Sequence, residues 1–316
     1  MKAMQLSKEE YLESKKIFDE EGYIVFQNVL NKSEIEAYFR ALDPYLTKDV
    51  KGRNNFEGLK TNRIYALLNK SEIFGEMATH PLVMQFVRDE LGESALLSAM
   101  LAINLLPGES VQPWHTDDGY VHVDMPHPSF GISAFWALSD TNEQNGATEV
   151  LIGSHKWEKQ KLAKYIKLND HSAEGILGDN LREAPNEEKK VVELKAGSLM
   201  LAKGTLIHRG GANNSSKPRL IVTPQYCFGW VRQIENMIAS VSKENAIKLD
   251  EEVRRLMGYS IHPPFIGYVD GVHPKKLLED KSYTHRLKRP NDRNSVTDTY
   301  PSWNNFTALC CFVSFI

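Results

Sequence analysis

The chain has 316 residues, of which 41% are hydrophobic and 25% are charged, and its formal net charge is −3. These values are ordinary for a globular protein, and the small net charge gives no broad attraction to nucleic acid or to an anionic membrane. No apolar run approaches the ~20 residues that a membrane helix needs. The N-terminal residues lack a secretory signal, and three cysteines do not make a disulfide framework. We therefore expect a cytoplasmic protein with no nucleic-acid or membrane partner.

The first part of the chain, residues 7–92, predicts helices with a short strand between them. Helix starts are recognised by capping residues, and helix ends by glycine. In chain order the sequence predicts a helix from the capping box Ser7–Glu10 to Gly22, a strand at 23–26, a helix capped by Ser33–Glu36, a loop at 47–63 and a helix at Pro81–Leu91 ended by Gly92.

The middle of the chain, at about 95–230, predicts a series of strands, because short apolar runs alternate with turn residues. These runs lie at 101–105, at 131–140, after the Asn145-Gly146 turn, on both sides of Ala196-Gly197 and at 219–228. A stretch dense in Lys, Glu and Asp at 156–190 interrupts them, and we interpret it as a surface insertion. Residues 231–316 predict a helical and irregular extension.

The segment Gln112-Pro-Trp-His115-Thr-Asp117 and the distant His208 contain the ligand types of a metal centre. Alternate side chains of an extended strand point to the same side, so His115 and Asp117 can reach one metal ion together. Two histidines and one carboxylate on one face of an octahedral iron leave three coordination positions open. A single His-x-Asp is more commonly part of a solvated loop, so the hypothesis depends on the blocks around it.

From about Ser7 to Trp230, these blocks resemble the phytanoyl-CoA dioxygenase family of iron(II)- and 2-oxoglutarate-dependent oxygenases. The Gln-Pro-x-His-x-Asp-Asp form and the Asn-Gly-Ala-Thr block are similar to the branch that contains secondary-metabolite oxygenases. The resemblance implies a mainly β protein with surrounding helices, whose core is a double-stranded β-helix (a jelly-roll, cupin-like fold). We expect residues 1–316 to form a single domain of this kind.

The resemblance also implies which residues hold the cofactor and the cosubstrate. It assigns iron(II) to His115, Asp117 and His208, the distal carboxylate of 2-oxoglutarate to Arg219, and further contacts with 2-oxoglutarate to Gln112 and Thr148. An arginine is suited to this role because its guanidinium can grip a carboxylate through two hydrogen bonds.

An enzyme of this kind uses O2 and 2-oxoglutarate to oxidise an unactivated C–H bond of a small organic molecule, and it releases succinate and CO2. Related halogenases carry a small residue in place of the carboxylate ligand, so Asp117 predicts hydroxylation and not halogenation. Desaturation, ring closure and epimerisation begin from the same oxidant, and the sequence leaves them open. The substrate itself and the choice between monomer and homodimer are also left open.

Two functions of other classes stay in view. A zinc-dependent hydrolase can use the same ligand types, but it does not explain Arg219, Gln112 and Thr148 at cosubstrate spacing. A non-catalytic jelly-roll binding protein is the other alternative, and the complete ligand set argues against it.

Substrate recognition is expected at loops around the mouth of the barrel, because binding residues commonly sit on loops over a rigid scaffold. The aromatic side chains most able to cover an apolar substrate are Tyr65, Tyr120, His122 and Trp230. For Tyr65 and Trp230, packing in the core is an equally good interpretation.

Overall fold

The computed structural model describes residues 5–46, 51–168, 184–185 and 187–279. The chain up to Glu279 forms one compact unit. Residues 280–316 of the predicted extension lie outside the described residues. The prediction of one domain over 1–316 therefore stays a prediction.

Nine strands in the described residues form two antiparallel sheets. The strands are β1 Tyr23–Phe26, β2 Thr61–Ile64, β3 Leu96–Leu105, β4 Gly131–Ala137, β5 Thr148–Leu151, β6 Lys189–Val192, β7 Leu199–Lys203, β8 His208–Gly210 and β9 Arg219–Cys227. The larger sheet has the order β1-β7-β4-β9-β3-β2, and the smaller sheet has the order β6-β5-β8. Apolar residues of both sheets pack together, among them Phe135 and Ile221 from the larger sheet and Val150 from the smaller. The predicted double-stranded β-helix is confirmed.

Both faces of the larger sheet are covered, which is why its inner strands β3, β4, β7 and β9 are largely apolar. In β3, Leu97 and Met100 pack in the helix-side core, whereas Ala99 and Leu101 face a cavity between the sheets. A bulge between Leu97 and Ala99 shifts the register by one residue. The strand therefore keeps one row of side chains toward the helices and one row toward the cavity.

Helices pack on the outer face of the larger sheet, except for the helix Lys159–Leu162, which packs beside the smaller sheet. They are α1 Lys8–Glu21, α2 Lys32–Leu46, α3 Leu67–Lys70, α4 Ile73–Ala78, α5 Pro81–Leu91, α6 Lys159–Leu162, α7 Met237–Ser240, α8 Lys243–Ala246, α9 Glu251–Met257 and α10 Lys276–Glu279. The predicted capping box of α1 and its end at Gly22 are both present. In the described residues, no helix has the length and apolar character required to cross a membrane.

Two predictions about the N-terminal part were wrong in detail. The side chain that caps α2 belongs to Asn31, whose Oδ1 accepts from the backbone N–H of Glu34 while Glu34 Oε2 accepts from the N–H of Asn31. Ser33 lies inside the helix. The predicted loop at 47–63 also ends too late, since Thr61–Ile64 pairs with β3 as an edge strand.

The predicted insertion at 156–190 is only partly a surface feature. Leu162 and Tyr165 are buried and pack with Trp114 and Ile207 beside the smaller sheet. Its last two residues already belong to β6. Residues 169–183 and 186 lie outside the described residues.

Candidate metal centre

His115 and His208 lie opposite each other on neighbouring extended segments. Each backbone N–H donates to the other residue's carbonyl, at 3.0 Å and 2.9 Å. Their ring centroids are 4.4 Å apart. Asp117, two residues after His115, places Oδ1 4.0 Å from His115 Nε2 and 3.7 Å from His208 Nε2. The three side chains thus bring one ligand atom each within 4.8 Å of one another.

Both imidazoles are held in the form that a metal ligand requires. His115 Nδ1 lies 2.9 Å from the carbonyl of Pro113, and His208 Nδ1 lies 3.1 Å from the carbonyl of Leu206. A carbonyl only accepts hydrogen bonds, so each Nδ1 carries the proton and each Nε2 offers its lone pair. Burial, and then the neighbouring His208, lower the pKa of His115, which keeps this ring neutral.

Asp117 is tied to the larger sheet through a serine. The Ser133 hydroxyl donates to Asp117 Oδ2, while Oδ1 faces the two imidazoles. Ser133 in turn accepts from Gln225 Nε2 at 3.4 Å, and the two residues are cross-strand partners on β4 and β9. Neither residue was singled out by the sequence.

Arg219 opens β9 and is buried, with 3% of its surface exposed. Its Nη2 donates to the carbonyl of Gly146 at 2.6 Å, but its Nε has no hydrogen-bond partner. Burial and the nearby Arg63 lower the pKa of Arg219 to about 10, so the group stays charged at neutral pH. Gly146 has a φ of +87°, and a Cβ there would lie 2.3 Å from Leu105 Cδ2. The predicted Asn-Gly turn therefore places a carbonyl beside this arginine.

Gln112 joins a loop to the metal-bearing strands. Its Nε2 donates to the carbonyl of Phe56 at 2.9 Å, and its Oε1 accepts from the N–H of Gly210 at 3.0 Å. Arg63 donates to the carbonyls of Phe56 and Glu57 at 3.0 Å and 2.7 Å. The Phe56 ring meets the His115 ring edge-on, with centroids 4.8 Å apart. The loop predicted only as a connection thus covers one side of the metal centre.

The three ligand residues line a cavity of about 320 Å³. One part of its wall is polar and includes Arg63, Gln112, Thr148 and Arg219. The other part is mostly aromatic and aliphatic, and its lining residues include Tyr65, Ala99, Leu101, Ile103, Tyr120, Phe135, Ile221 and Ile234. The pocket lining therefore combines cationic and apolar residues around one ligand set.

The four residues predicted for substrate contact are divided by the structure. Tyr65, which is 45% exposed, and Tyr120 line the cavity. His122 is exposed and lies outside the lining, and so does Trp230. The Trp230 ring instead stacks on Phe228, with centroids 5.5 Å apart. The contribution of Tyr65, Tyr120, His122 and Trp230 to substrate binding stays a prediction.

Comparison with known proteins agrees with this geometry. The family model described as phytanoyl-CoA dioxygenase matches residues 18–221, which is more than half of the chain. The chain belongs to the phytanoyl-CoA dioxygenase family. The prediction of the family and of its dioxygenase class is confirmed.

Two curated proteins are similar to this chain over most of its length. "Dioxygenase swnH2" of Arthroderma benhamiae is 25% identical over 299 residues, covering 86% of this chain and 87% of the relative. "Dioxygenase FUM3" of Gibberella moniliformis is 28% identical over 264 residues, covering 77% of this chain and 80% of the relative.

Solved structures share the fold. The non-heme α-ketoglutarate-dependent epimerase SnoN from nogalamycin biosynthesis has a TM-score of 0.55 at 18% identity, covering 69% of this chain and 82% of its own. HygX from Streptomyces hygroscopicus, solved with nickel and 2-oxoglutarate bound, has a TM-score of 0.55 at 20% identity, covering 72% of this chain and 89% of its own.

Proposed function

We propose that this member of the family is an iron(II)- and 2-oxoglutarate-dependent oxygenase whose metal ligands are His115, Asp117 and His208. The observation that carries the proposal is the set of three ligand atoms within 4.8 Å of one another. Each histidine presents an unprotonated Nε2 to that point because its Nδ1 is engaged with a backbone carbonyl. Two imidazoles and one carboxylate fit iron(II) and leave room for a chelating cosubstrate.

Arg219 supports the assignment of 2-oxoglutarate. A buried guanidinium with a free Nε is unfavourable unless an anion meets it, and no ion pair joins Arg219 to a carboxylate within the described residues. A second cation of the pocket, the half-buried Arg63, makes the same region attractive to a dicarboxylate. The bound 2-oxoglutarate in HygX supplies the analogy. We assign Gln112 and Thr148 to the same subsite.

The proposed substrate is a small organic molecule that occupies the apolar part of the cavity. Tyr65 and Tyr120 line this part, and Ile103, Phe135 and Ile221 face it from the sheets. Apolar walls with a few polar groups are typical of small-molecule sites. When bound, iron(II) and 2-oxoglutarate supply the oxidation of a C–H bond by O2, with release of succinate and CO2.

The chain's own residues then perform three tasks: they hold the ligands, exclude water and position the substrate. The cross-strand pairing of His115 with His208 fixes the distance between two ligands without dependence on mobile loops. Phe56 excludes water from one side of His115, which strengthens electrostatic interactions inside the site. A reacting carbon seated against the apolar wall would be held beside the ligand set, and positioning of this kind is the protein's contribution to catalysis.

A single assay separates this proposal from its alternatives. Full-length apo protein would be loaded with iron(II) or with zinc, and succinate release from 2-oxoglutarate would be followed with and without O2. We expect release with iron(II) and O2 only, and none from the Asp117→Ala variant. Zinc-dependent hydrolysis of ester or amide probes, with no succinate under any condition, would identify a hydrolase. Tight metal binding with neither activity would identify a binding protein.

A further inference from the structure

The two oxygens of the Asp117 carboxylate lie in different environments. Its Oδ1 faces the Nε2 atoms of His115 and His208, whereas its Oδ2 accepts the proton of Ser133. Ser133 is 2% exposed, so this hydrogen bond does not compete with bulk water. A charge-assisted bond of this kind is roughly twice as strong as one between neutral groups.

The direction of the Ser133 hydroxyl is fixed by its second partner. Gln225 offers its Nε2 donor at 3.4 Å, so a lone pair of Ser133 Oγ is already directed toward Gln225. A hydroxyl has one proton, and that proton is then left for Asp117. Because Ser133 and Gln225 are cross-strand partners on β4 and β9, the geometry is set by the sheet and not by a loop.

We propose that Ser133, oriented by Gln225, is a positioning residue that makes Asp117 a one-oxygen ligand. This inference rests on the proposed function, because it assumes that Asp117 binds the metal. A carboxylate that turned to bind through both oxygens would occupy one of the three positions needed for 2-oxoglutarate and O2. Holding Oδ2 against Ser133 prevents that turn and also fixes the direction in which Oδ1 points.

The test uses Mn(II), which is stable in air, and measures its dissociation constant for full-length apo protein by the EPR signal of free Mn(II). Removing a hydrogen-bond partner of a metal ligand commonly weakens metal binding about 10- to 100-fold, so Ser133→Ala should weaken it within that range. Ser133→Thr keeps the hydroxyl and should restore affinity to within about threefold of the wild type. Gln225→Met should give a smaller loss in the same direction.

Ser198 provides the matched control. It is a buried serine whose hydroxyl donates to Gln27 at 2.6 Å, and it does not line the cavity. Ser198→Ala should leave Mn(II) affinity unchanged, so a general loss from removing any buried hydroxyl would be visible. If Ser133→Ala does not fold by circular dichroism, the loss in Gln225→Met and its absence in Ser198→Ala decide the question.

The outcomes test the positioning role of Ser133 separately from the metal centre itself. Loss of Mn(II) binding in Asp117→Ala, with Ser133→Ala and Gln225→Met both within twofold of the wild type, would overturn the positioning role alone. Unchanged Mn(II) binding in Asp117→Ala would instead show that the proposed metal centre is wrong. Failure of Ser133→Thr to recover any affinity lost in Ser133→Ala would also contradict the role of the hydroxyl.

Discussion

Arg219 is the residue on which the cosubstrate assignment depends. A 2-oxoglutarate carboxylate left without its buried partner loses on the order of 2–5 kcal/mol, and ~1.4 kcal/mol corresponds to one decade in affinity. Arg219→Ala should therefore weaken 2-oxoglutarate binding to the Mn(II)-loaded protein at least about tenfold, as measured by calorimetry. Mn(II) affinity should be retained, because Arg219 contacts the Gly146 carbonyl and none of the three metal ligands.

Other variants of the proposed cosubstrate site should weaken 2-oxoglutarate binding less than Arg219→Ala does. Arg219→Lys keeps the charge but loses the planar fork, so we expect an intermediate loss. Gln112→Ala and Thr148→Ala should show smaller losses than Arg219→Ala. Unchanged affinity in Arg219→Ala would move the anion site elsewhere in the pocket, and Arg63 would be the next residue to replace.

At the residue scale, contacts between residues close together in the sequence could be predicted, and contacts that depend on strand pairing could not. The spacing predicted that His115 and Asp117 lie close together, whereas His208, which the resemblance implied, joins them by pairing with His115. Ser133 and Gln225 escaped notice because their meeting depends on the register between β4 and β9, which spacing along one strand does not reveal. The available signal was the single polar residue Ser133 within the apolar strand β4. No pattern in the sequence pointed to Phe56.

The start of helix α2 offers a test at the scale of one element. Asn31 and Glu34 form a reciprocal cap, and removing a side-chain cap costs about 1 kcal/mol. Asn31→Ala should lower the free energy of unfolding by that amount in urea titrations. Ser33→Ala is the matched control: Ser33 donates to Asn31 Oδ1 within the helix's first turn, so its loss should cost less. A larger loss in Ser33→Ala would restore the cap that the sequence predicted.

Elements with strong local signals were predicted well, and those set by pairing were not. Helix α5 has the predicted bounds because Pro81 can begin a helix and Gly92 can end one. Strand β2 was missed because Thr61–Ile64 has no apolar run, and it becomes a strand by pairing with β3. The start of the extension predicted at 231–316 is helical as expected, and the structure divides it into three short helices, α7 to α9.

At the scale of the whole molecule, His208 on β8 pairs with His115, while residues of both strands and loops line the substrate region. Tyr65 and Tyr120 come from separate connections and line the same cavity. With a substrate identified from a metabolite panel, Tyr65→Ala and Tyr120→Ala should reduce substrate oxidation more than uncoupled 2-oxoglutarate consumption, because the cosubstrate residues are untouched. The ratio of product to succinate measures this effect.

Residues outside the cavity provide the comparison. His122→Ala and Trp230→Ala should change the product-to-succinate ratio less, since neither side chain lines the cavity. Equal loss of both rates in Tyr65→Ala or Tyr120→Ala, together with a lower melting temperature, would show that these tyrosines only support the fold.

The central claim is that His115, Asp117 and His208 bind an iron(II) ion that chelates 2-oxoglutarate. The most direct measurement is the visible spectrum of apo protein mixed anaerobically with iron(II) and 2-oxoglutarate. We predict the weak charge-transfer band of an iron-chelated 2-oxo acid in the wild type, and its absence in His115→Ala, Asp117→Ala and His208→Ala. A band that survives the loss of Asp117 or His208 would contradict the assignment.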